Sequence, residues 1–519
     1  MTINANFWEG YQISVNDLED IYNYLLETES PLDKFEITKF LIRQKIAEKE
    51  RALLVENSNK GAHYLPEKTY SIGDKLIFPA KGQISGEVKS TRSGLNPAYP
   101  DLQVIEVEMS TGEHLFFAAN LPDHILNNPT PTEKNILLDA DYVFSEYGQI
   151  LAEKLSKSLE NNPDLICIAR QYFPRALIFD IGIGPLNLCE AVLEMAGGGP
   201  FTTAELISQI ELPLSNNAKL TEFSMNFALE QDGRFDEVGP AGVTLWFLKR
   251  LEPLEVQNPP LTLNFAGSLP DNPDLIPNLT ELTALVDDEM EQYPSDSLKT
   301  EVTISLTYPH WRAGTLPLTE RNKNIFPTAY ETPRVKFQFC DFPSLQKFDG
   351  WVVRPNHYIY GLKNWYEQQG VIPGSFITLS KSSTPGEVNI QTHKNKNSRD
   401  WIRTVLVGTD GGIVFALLKQ VISCTYDERM AIMVPDVNAL DHIWASNKFK
   451  QPIEKVILTI MREIGKLNTQ NQIHAQELYS AVNIIRRTPP STILSVLHSQ
   501  PWATHLGDLY FKLNENMAL

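Results

Sequence analysis

IHAQELYSAVNIIRRTPPSTILSVLHSQPWATHLGDLYFKL, residues 473–513, is the stretch on which the reading of this chain turns. Ile473 to Val482 reads as an amphipathic helix. Thr488-Pro489-Pro490-Ser491 opens another. Proline suits a first helical turn, where the backbone N–H has no partner to lose. Ile493, Leu494, Val496 and Leu497 follow at helical spacing, and Phe511-Lys512-Leu513 closes as a strand after Trp502. Upstream, Ile453 to Leu467 predicts a further helix, with Val456, Ile457, Ile460 and Met461 on one face and Ile464 after them. Residues 440–519 therefore read as one module: three helices, then a strand.

A second stretch repeats that order. Leu186 to Met195 predicts an amphipathic helix stopped by Gly197-Gly198-Gly199-Pro200. Thr202-Thr203-Ala204-Glu205 opens the next helix, with Thr202 as cap and Glu205 closing a capping box. A third helix is expected over 219–229. Phe235 to Lys249 then reads as two strands around Gly239-Pro240-Ala241-Gly242. Helix, helix, helix and a two-stranded wing is the winged-helix order, placed here inside a mainly helical region 134–253.

With the pattern hAxELYxAV (h, a hydrophobic residue) and the run PPSTILSVLHSQPWATHLGDLYFKL, the last 70 or so residues resemble the HARE-type winged helix. That family includes the folded domain of the bacterial RNA polymerase delta subunit. Residues 186–249 resemble it more faintly. The resemblance implies transcription-linked contacts with DNA or RNA polymerase, and it brings no catalytic residues.

The rest of the chain sorts by pattern. Residues 1–65 predict helices broken at Thr28-Glu29-Ser30-Pro31, either a helix-turn-helix piece or two helices packing on the next domain. Residues 66–130 alternate Val, Ile and Phe with polar residues between glycines, and Ile72 to Phe78 looks like the opening strand of a small SH3-like barrel. Residues 254–297 are rich in Pro, Asn and Asp, with an acidic helical piece over Leu282–Gln292, and read as an acidic linker. Residues 298–435 are β-rich, with a helix expected near Tyr358–Gln369. The following Val371-Ile372-Pro373-Gly374-Ser375-Phe376-Ile377-Thr378-Leu379 resembles barrel-type DNA-binding folds, including the plant B3-like pseudobarrel. The expected fold class is α+β and multi-domain.

Composition narrows the function classes. The chain has 519 residues, 42% hydrophobic and 21% charged, which fits globular folding. Met1 to Glu9 has neither a basic nor an apolar signal region, and no stretch is long and apolar enough for a membrane span, so no membrane partner is expected. Cys167, Cys189, Cys340 and Cys424 are scattered, which predicts neither a thiolate metal site nor a disulfide framework and points to the reducing cytoplasm. The net charge of −19 argues against a generic nucleic-acid coat. It is uneven, however. Residues 201–300 hold 17 acids against 5 bases, whereas 351–403 hold 7 bases against 3 acids, and 441–519 hold 8 against 6.

Catalytic motifs are not found. Gly182-Ile183-Gly184-Pro185-Leu186-Asn187 departs from a dinucleotide loop, with Asn187 in place of the third glycine. Asp74, Glu87 and Lys89 have a nuclease-like spacing that chance explains better. His310, His357 and His393 stand at unrelated spacings. The sequence therefore predicts a non-enzymatic protein with no catalytic residues, cofactor or metal. The positive candidate is the run from His393 to Arg403, where Lys394, Lys396, Arg399 and Arg403 can neutralise phosphates and Trp401 can stack on a base. A solvated hairpin tip is the plainer alternative. Arg486, Arg487 and Lys512 extend the nucleic-acid candidates into the last module. Asp287, Asp288, Glu289 and Glu291 are the candidates for a protein-binding acidic face. Two functions follow: a DNA-associated transcription or regulatory factor, or an adaptor that binds RNA polymerase or another protein partner.

Overall fold

The computed structural model describes residues 5–81, 84–127, 139–212, 217–291, 299–329, 332–409, 411–446, 451–468 and 470–517, with backbone alone at 53–60, 80 and 395–398. It is a mixed α/β structure carrying 15 α-helices among the described residues. The chain divides into two compact units, one of residues 1–179 with 214–223, the other of 180–213 with 224–519. No helix among the described residues is long and apolar enough to cross a membrane.

The first unit holds α1 (Ala5–Glu9), α2 (Val15–Thr28), β1 (Leu32–Asp33), α3 (Lys34–Lys60), β2 (Ala62–His63), β3 (Lys75–Phe78), β4 (Ile84–Ser93), β5 (Gln103–Met109), β6 (His114–Ala119), α4 (Ala140–Glu160), β7 (Leu165–Ile168) and β8 (Gln171–Pro174). Strands β2 to β6 form one five-stranded sheet in chain order, where alternation buries Ile105, Val107 and Met109 on one face. The helices make a separate core. Ile21 and Leu25 of α2, Ile37 of α3 and Leu155 and Leu159 of α4 are fully enclosed with Tyr172 of β8. Segment 1–65 and the start of 134–253 are therefore one packed body, and the small sheet is an insertion within it. Sequence alone separated them because the insertion puts 79 residues between α3 and α4.

In the second unit, α5 (Ile183–Met195), β9 (Phe201–Thr202), α6 (Thr203–Gln209), α7 (Ala218–Gln231, its first turns belonging to the first unit), β10 (Phe235–Glu237) and β11 (Leu245–Leu248) come first. They surround Leu186, Cys189, Leu193, Leu206, Met225, Leu229 and Trp246. Next come α8 (Leu254–Gln257) and α9 (Leu279–Leu285). Val256, Leu279, Leu282 and Val286 are buried, so both ends of the described part of the expected acidic linker 254–297 pack into the fold, while residues 264–278 between them carry no buried side chain. The helix expected to reach Gln292 stops at Leu285.

A seven-stranded sheet follows, built from β12 (Glu301–Ser305), β13 (Thr315–Pro317), β14 (Arg334–Asp341), β15 (Gln346–Val353), β16 (Tyr358–Tyr360), β17 (Phe376–Lys381) and β18 (Glu387–Gln391). Its order is β12-β17-β18-β14-β15-β16-β13, antiparallel except for β14 against β18. Helix α10 (Tyr308–Ala313) and α11 (Lys363–Gln369) flank it. The helix expected from Tyr358 begins only at Lys363, because Tyr358-Ile359-Tyr360 pairs with both β13 and β15. Gly374 explains the Pro-Gly of the motif after α11: its φ is +91°, and a Cβ there would lie 2.4 Å from the Ala431 backbone.

Last come β19 (Lys394–Val407), β20 (Ile413–Cys424), β21 (Ile432–Met433), α12 (Val437–Ala445), α13 (Ile453–Gly465), β22 (Gln472–His474), α14 (Ala475–Val482), α15 (Pro490–Ser499), β23 (Ala503–Gly507) and β24 (Tyr510–Leu513).

One topology occurs three times. Helix, short strand, helix, helix and a two-stranded hairpin run as α2-β1-α3-α4-β7-β8, as α5-β9-α6-α7-β10-β11 and as α13-β22-α14-α15-β23-β24. Each time the short strand pairs antiparallel with the last strand, giving the sheet orders β1-β8-β7, β10-β11-β9 and β22-β24-β23. The sequence carries a matching signature where the short strand enters the second helix: Leu32-Asp33 with Glu36, Phe201-Thr202 with Glu205, and Ile473-His474 with Glu477. Asp33 and Thr202 each accept an N–H from the first turn, and Glu36 and Glu205 close the capping box. Thr202→Ala is expected to lower the stability of its module by about 1 kcal/mol, readable as a shift in the urea midpoint; no shift would mean the cap is redundant.

Candidate functional site

The long hairpin β19–β20 is where the chain exposes most of its cationic candidates. Its register runs Arg399↔Val421, Trp401↔Lys419, Arg403↔Leu417 and Leu406↔Val414. Two-stranded ribbons twist strongly, and here each face is buried at a different end. Near the turn, Val405, Ile413 and Phe415 sit in the core around α13 to α15. Near the open end, the opposite face packs Ile402 and Ile422 against Ile372 and Ala431.

The exposed face at the open end therefore carries Arg399, Trp401, Leu417, Lys419 and Val421. Trp401 is 67% exposed, and the Lys419 ammonium lies 6.0 Å from its ring centroid. Lys394, at the strand's start, is also exposed. None of the paired residues on that face is acidic; Asp400 points to the other side of the ribbon. A flat ring flanked by cations is suited to an anionic ligand with planar groups.

The remaining candidates separate. Arg403 is buried, donating to the carbonyl oxygens of Glu428 (2.6 Å) and Arg429 and standing 3.6 Å from Glu477. Its position lies where β19 also pairs with Ile432 of β21, and there that face turns inward. Arg486 is half-buried and donates to the Gln451 carbonyl at 2.7 Å. Lys512 is exposed on β24. The Lys396 side chain lies outside the described residues. Lys419 was missed by sequence, because only cross-strand register places it beside Trp401.

Arg487 and the acidic run were expected at the surface and are interior. Arg487 is 2% exposed, and Asp287, Asp288 and Glu289 are buried. The Arg487 guanidinium grips Asp288 through two bonds of 2.5 and 2.9 Å and lies 2.9 Å from a Glu289 oxygen. Tyr479 donates to Asp288 at 2.6 Å, and the other Glu289 oxygen lies 2.9 Å from His310 Nε2. Burial opposes the charge of Glu289, but Arg487 and His310 outweigh it and hold the carboxyl well below its usual range. Asp287 pairs with Arg321 at 2.9 Å, yet burial pushes it up to about 6. Half-buried Glu291 accepts the Ser491 backbone N–H at 2.9 Å. These acids bind their own chain, so the solvated acidic face expected at 287–291 is corrected to an internal ion network.

Two cavities lie in the second unit. One of 460 Å³ is bordered by Trp311, Arg312, Lys363 and Tyr366, and one of 210 Å³ by Asp287, Asp288, Glu291 and Arg321. Among the described residues no group of three or more His, Cys, Asp or Glu is placed to hold a metal ion. Of the nuclease-like trio, Lys89 pairs with Glu87 at 3.0 Å and Glu108 at 3.1 Å, and Asp74 accepts the Ser71 N–H.

The third helices matter for any groove-binding function. In α15, residues Pro490 to Leu494, Val496 and Leu497 are buried. In α7, Leu220, Thr221, Phe223 to Asn226 and Leu229 are buried, and Glu222 and Glu230 are exposed. No family model, curated protein or solved structure matches this chain.

Proposed function

We propose that the chain is a non-enzymatic, DNA-associated regulatory protein that uses its three repeated modules, read as winged helices, as a scaffold and touches nucleic acid with the β19–β20 ribbon. The observation that carries this reading is the acid-free face of Arg399, Trp401 and Lys419 on a chain of net charge −19. Beyond the β19–β21 pairing at Arg403 and Thr404 the open end of the hairpin is two-stranded, a width that fits a major groove, and an exposed tryptophan between cations equally suits unstacked bases. The buried third helices weigh against reading by helix insertion, the usual winged-helix mode. The resemblance of the last module to HARE-type domains accords with a transcription-linked role. The adaptor reading loses the acidic run 287–291 as its binding face.

The test is fluorescence anisotropy with mixed-sequence duplex and single-stranded DNA at low and near-physiological salt. Wild-type protein is expected to bind with strong salt dependence. Arg399→Ala with Lys419→Ala should weaken duplex binding at least about tenfold and reduce the log–log salt slope by roughly two, about 0.9 for each phosphate that is no longer neutralised. Unchanged affinity and slope in that variant would reject the ribbon.

A further inference from the structure

We infer that the outer face of α4 is a docking surface for a basic protein segment. The argument begins with the repeat. The equivalent helix of the last module, α15, is covered by the chain itself: Leu279, Leu282 and Val286 share its core, and Glu291 bonds Ser491 at its first turn. On α7, in the first unit, Phe223 meets the Phe173 ring at 5.8 Å. In two of three modules the third helix is thus a surface that protein covers.

In the first module that position is open. Tyr142, Glu146, Gln149, Ile150, Glu153, Lys157 and Glu160 all fall on one exposed stripe of α4, at spacings of three, four and seven residues. Tyr142 is 42% exposed and Ile150 46% exposed. These are two apolar anchors two turns apart. Around them stand Glu146, Glu153 and Glu160 against the single Lys157, with Asp141 beside them. An apolar centre ringed by carboxylates is complementary to a helix or strand bearing Lys or Arg around one or two apolar side chains. The same charge disfavours DNA, so this face is distinct in ligand from the ribbon.

The probe is a labelled amphipathic peptide with leucines at helical spacing and lysines elsewhere, with a glutamate version of the same pattern as control. Binding to the full chain is read by anisotropy at two salt concentrations. The lysine peptide is expected to bind in preference to the glutamate peptide. Affinity should fall about tenfold or more in Glu146→Lys/Glu153→Lys, and separately in Tyr142→Ala/Ile150→Ala. All four side chains are exposed, so the thermal midpoint should stay unchanged. Absent binding, equal binding of both peptides, or binding untouched by both variants would overturn the inference. So would sedimentation velocity showing a self-association that the same variants abolish, because the face would then belong to a second copy of the chain.

Discussion

Arg487→Met is expected to destabilise the last module by about 3–5 kcal/mol, the scale for removing one partner of a buried ion pair. Arg487 is enclosed, and its guanidinium satisfies Asp288 and Glu289 together, with Asn483 accepting a further N–H at 3.2 Å. Methionine fills much of the volume and supplies none of the charge. Two buried carboxylates would then be left without their cation, with Tyr479 on one and His310 on the other. The measurement is amide hydrogen exchange in α14 and α15, where protection should fall by two orders of magnitude or more at about 1.4 kcal/mol per decade. A loss below about 1 kcal/mol would mean that the carboxylates find water or protons once the arginine is gone.

A companion variant separates missing attraction from stranded charge. Arg487→Met with Asp288→Asn and Glu289→Gln removes the buried charges while keeping the shapes. It is expected to recover at least half of the loss, since an ion pair replaced as a whole is often close to neutral in stability. Recovery would identify uncompensated charge as the cost. If the triple variant is as unstable as the single one, the network's hydrogen-bond geometry holds the module to the 279–291 segment. The network's pH dependence follows from Glu289. Its folded carboxyl is held down, so its contribution is full above about pH 4.3 and is lost as pH falls further.

Much of the fold is legible in the sequence where one periodicity governs a whole element. The α13 stripe of Val456, Ile457, Ile460, Met461 and Ile464 is buried as its spacing predicts. Thr202 and Glu205 form the capping box that their spacing implies. The failures have specific causes. Tyr358-Ile359-Tyr360 sits beside a helix in sequence, but its β-branched and aromatic residues favour a strand, and its backbone pairs with strands on both sides. The run Asp287-Asp288-Glu289 has the composition of a solvated face. Its burial depends on Arg487, about two hundred residues away, which no local pattern can announce. The first repeat was hidden by the five-stranded insertion, although Leu32-Asp33-Lys34-Phe35-Glu36-Ile37 carries the same entry signature as the other two. At the ribbon, the cations are readable and the burial of Arg403 is not, because it depends on the ribbon's twist and on the pairing of Arg403 with Ile432 of β21.

Glu252→Gln is expected to remove a pH dependence of stability that the wild type shows between about pH 6.5 and 8.5. The Glu252 side chain has no exposed surface. One carboxyl oxygen takes an Arg334 N–H at 2.9 Å, and the other is buried without a hydrogen-bond partner. Asp236 shares the same Arg334 nitrogen at 3.2 Å. Burial, and then Asp236, push the Glu252 carboxyl up to about 8, against the pull of Arg334 and Lys249. The folded protein therefore holds a proton there that the unfolded chain releases above about pH 4.3. Stability must fall as pH rises from that value to about 8. Asp287, raised to about 6, acts in the same direction but finishes lower, so above about pH 6.5 it drops out, and the remaining shifted groups are common to wild type and variant. Glutamine copies the neutral acid and cannot ionise. The wild type should lose about 1–2 kcal/mol across this window, with Arg334 screening the rest; urea unfolding at the two pH values reads it directly. The difference between wild type and variant should be small at the lower pH and favour the variant at the higher one. Equal slopes would show that Arg334 already keeps the carboxylate charged, and Glu252 would then be a conventional buried ion pair whose loss costs stability at both pH values.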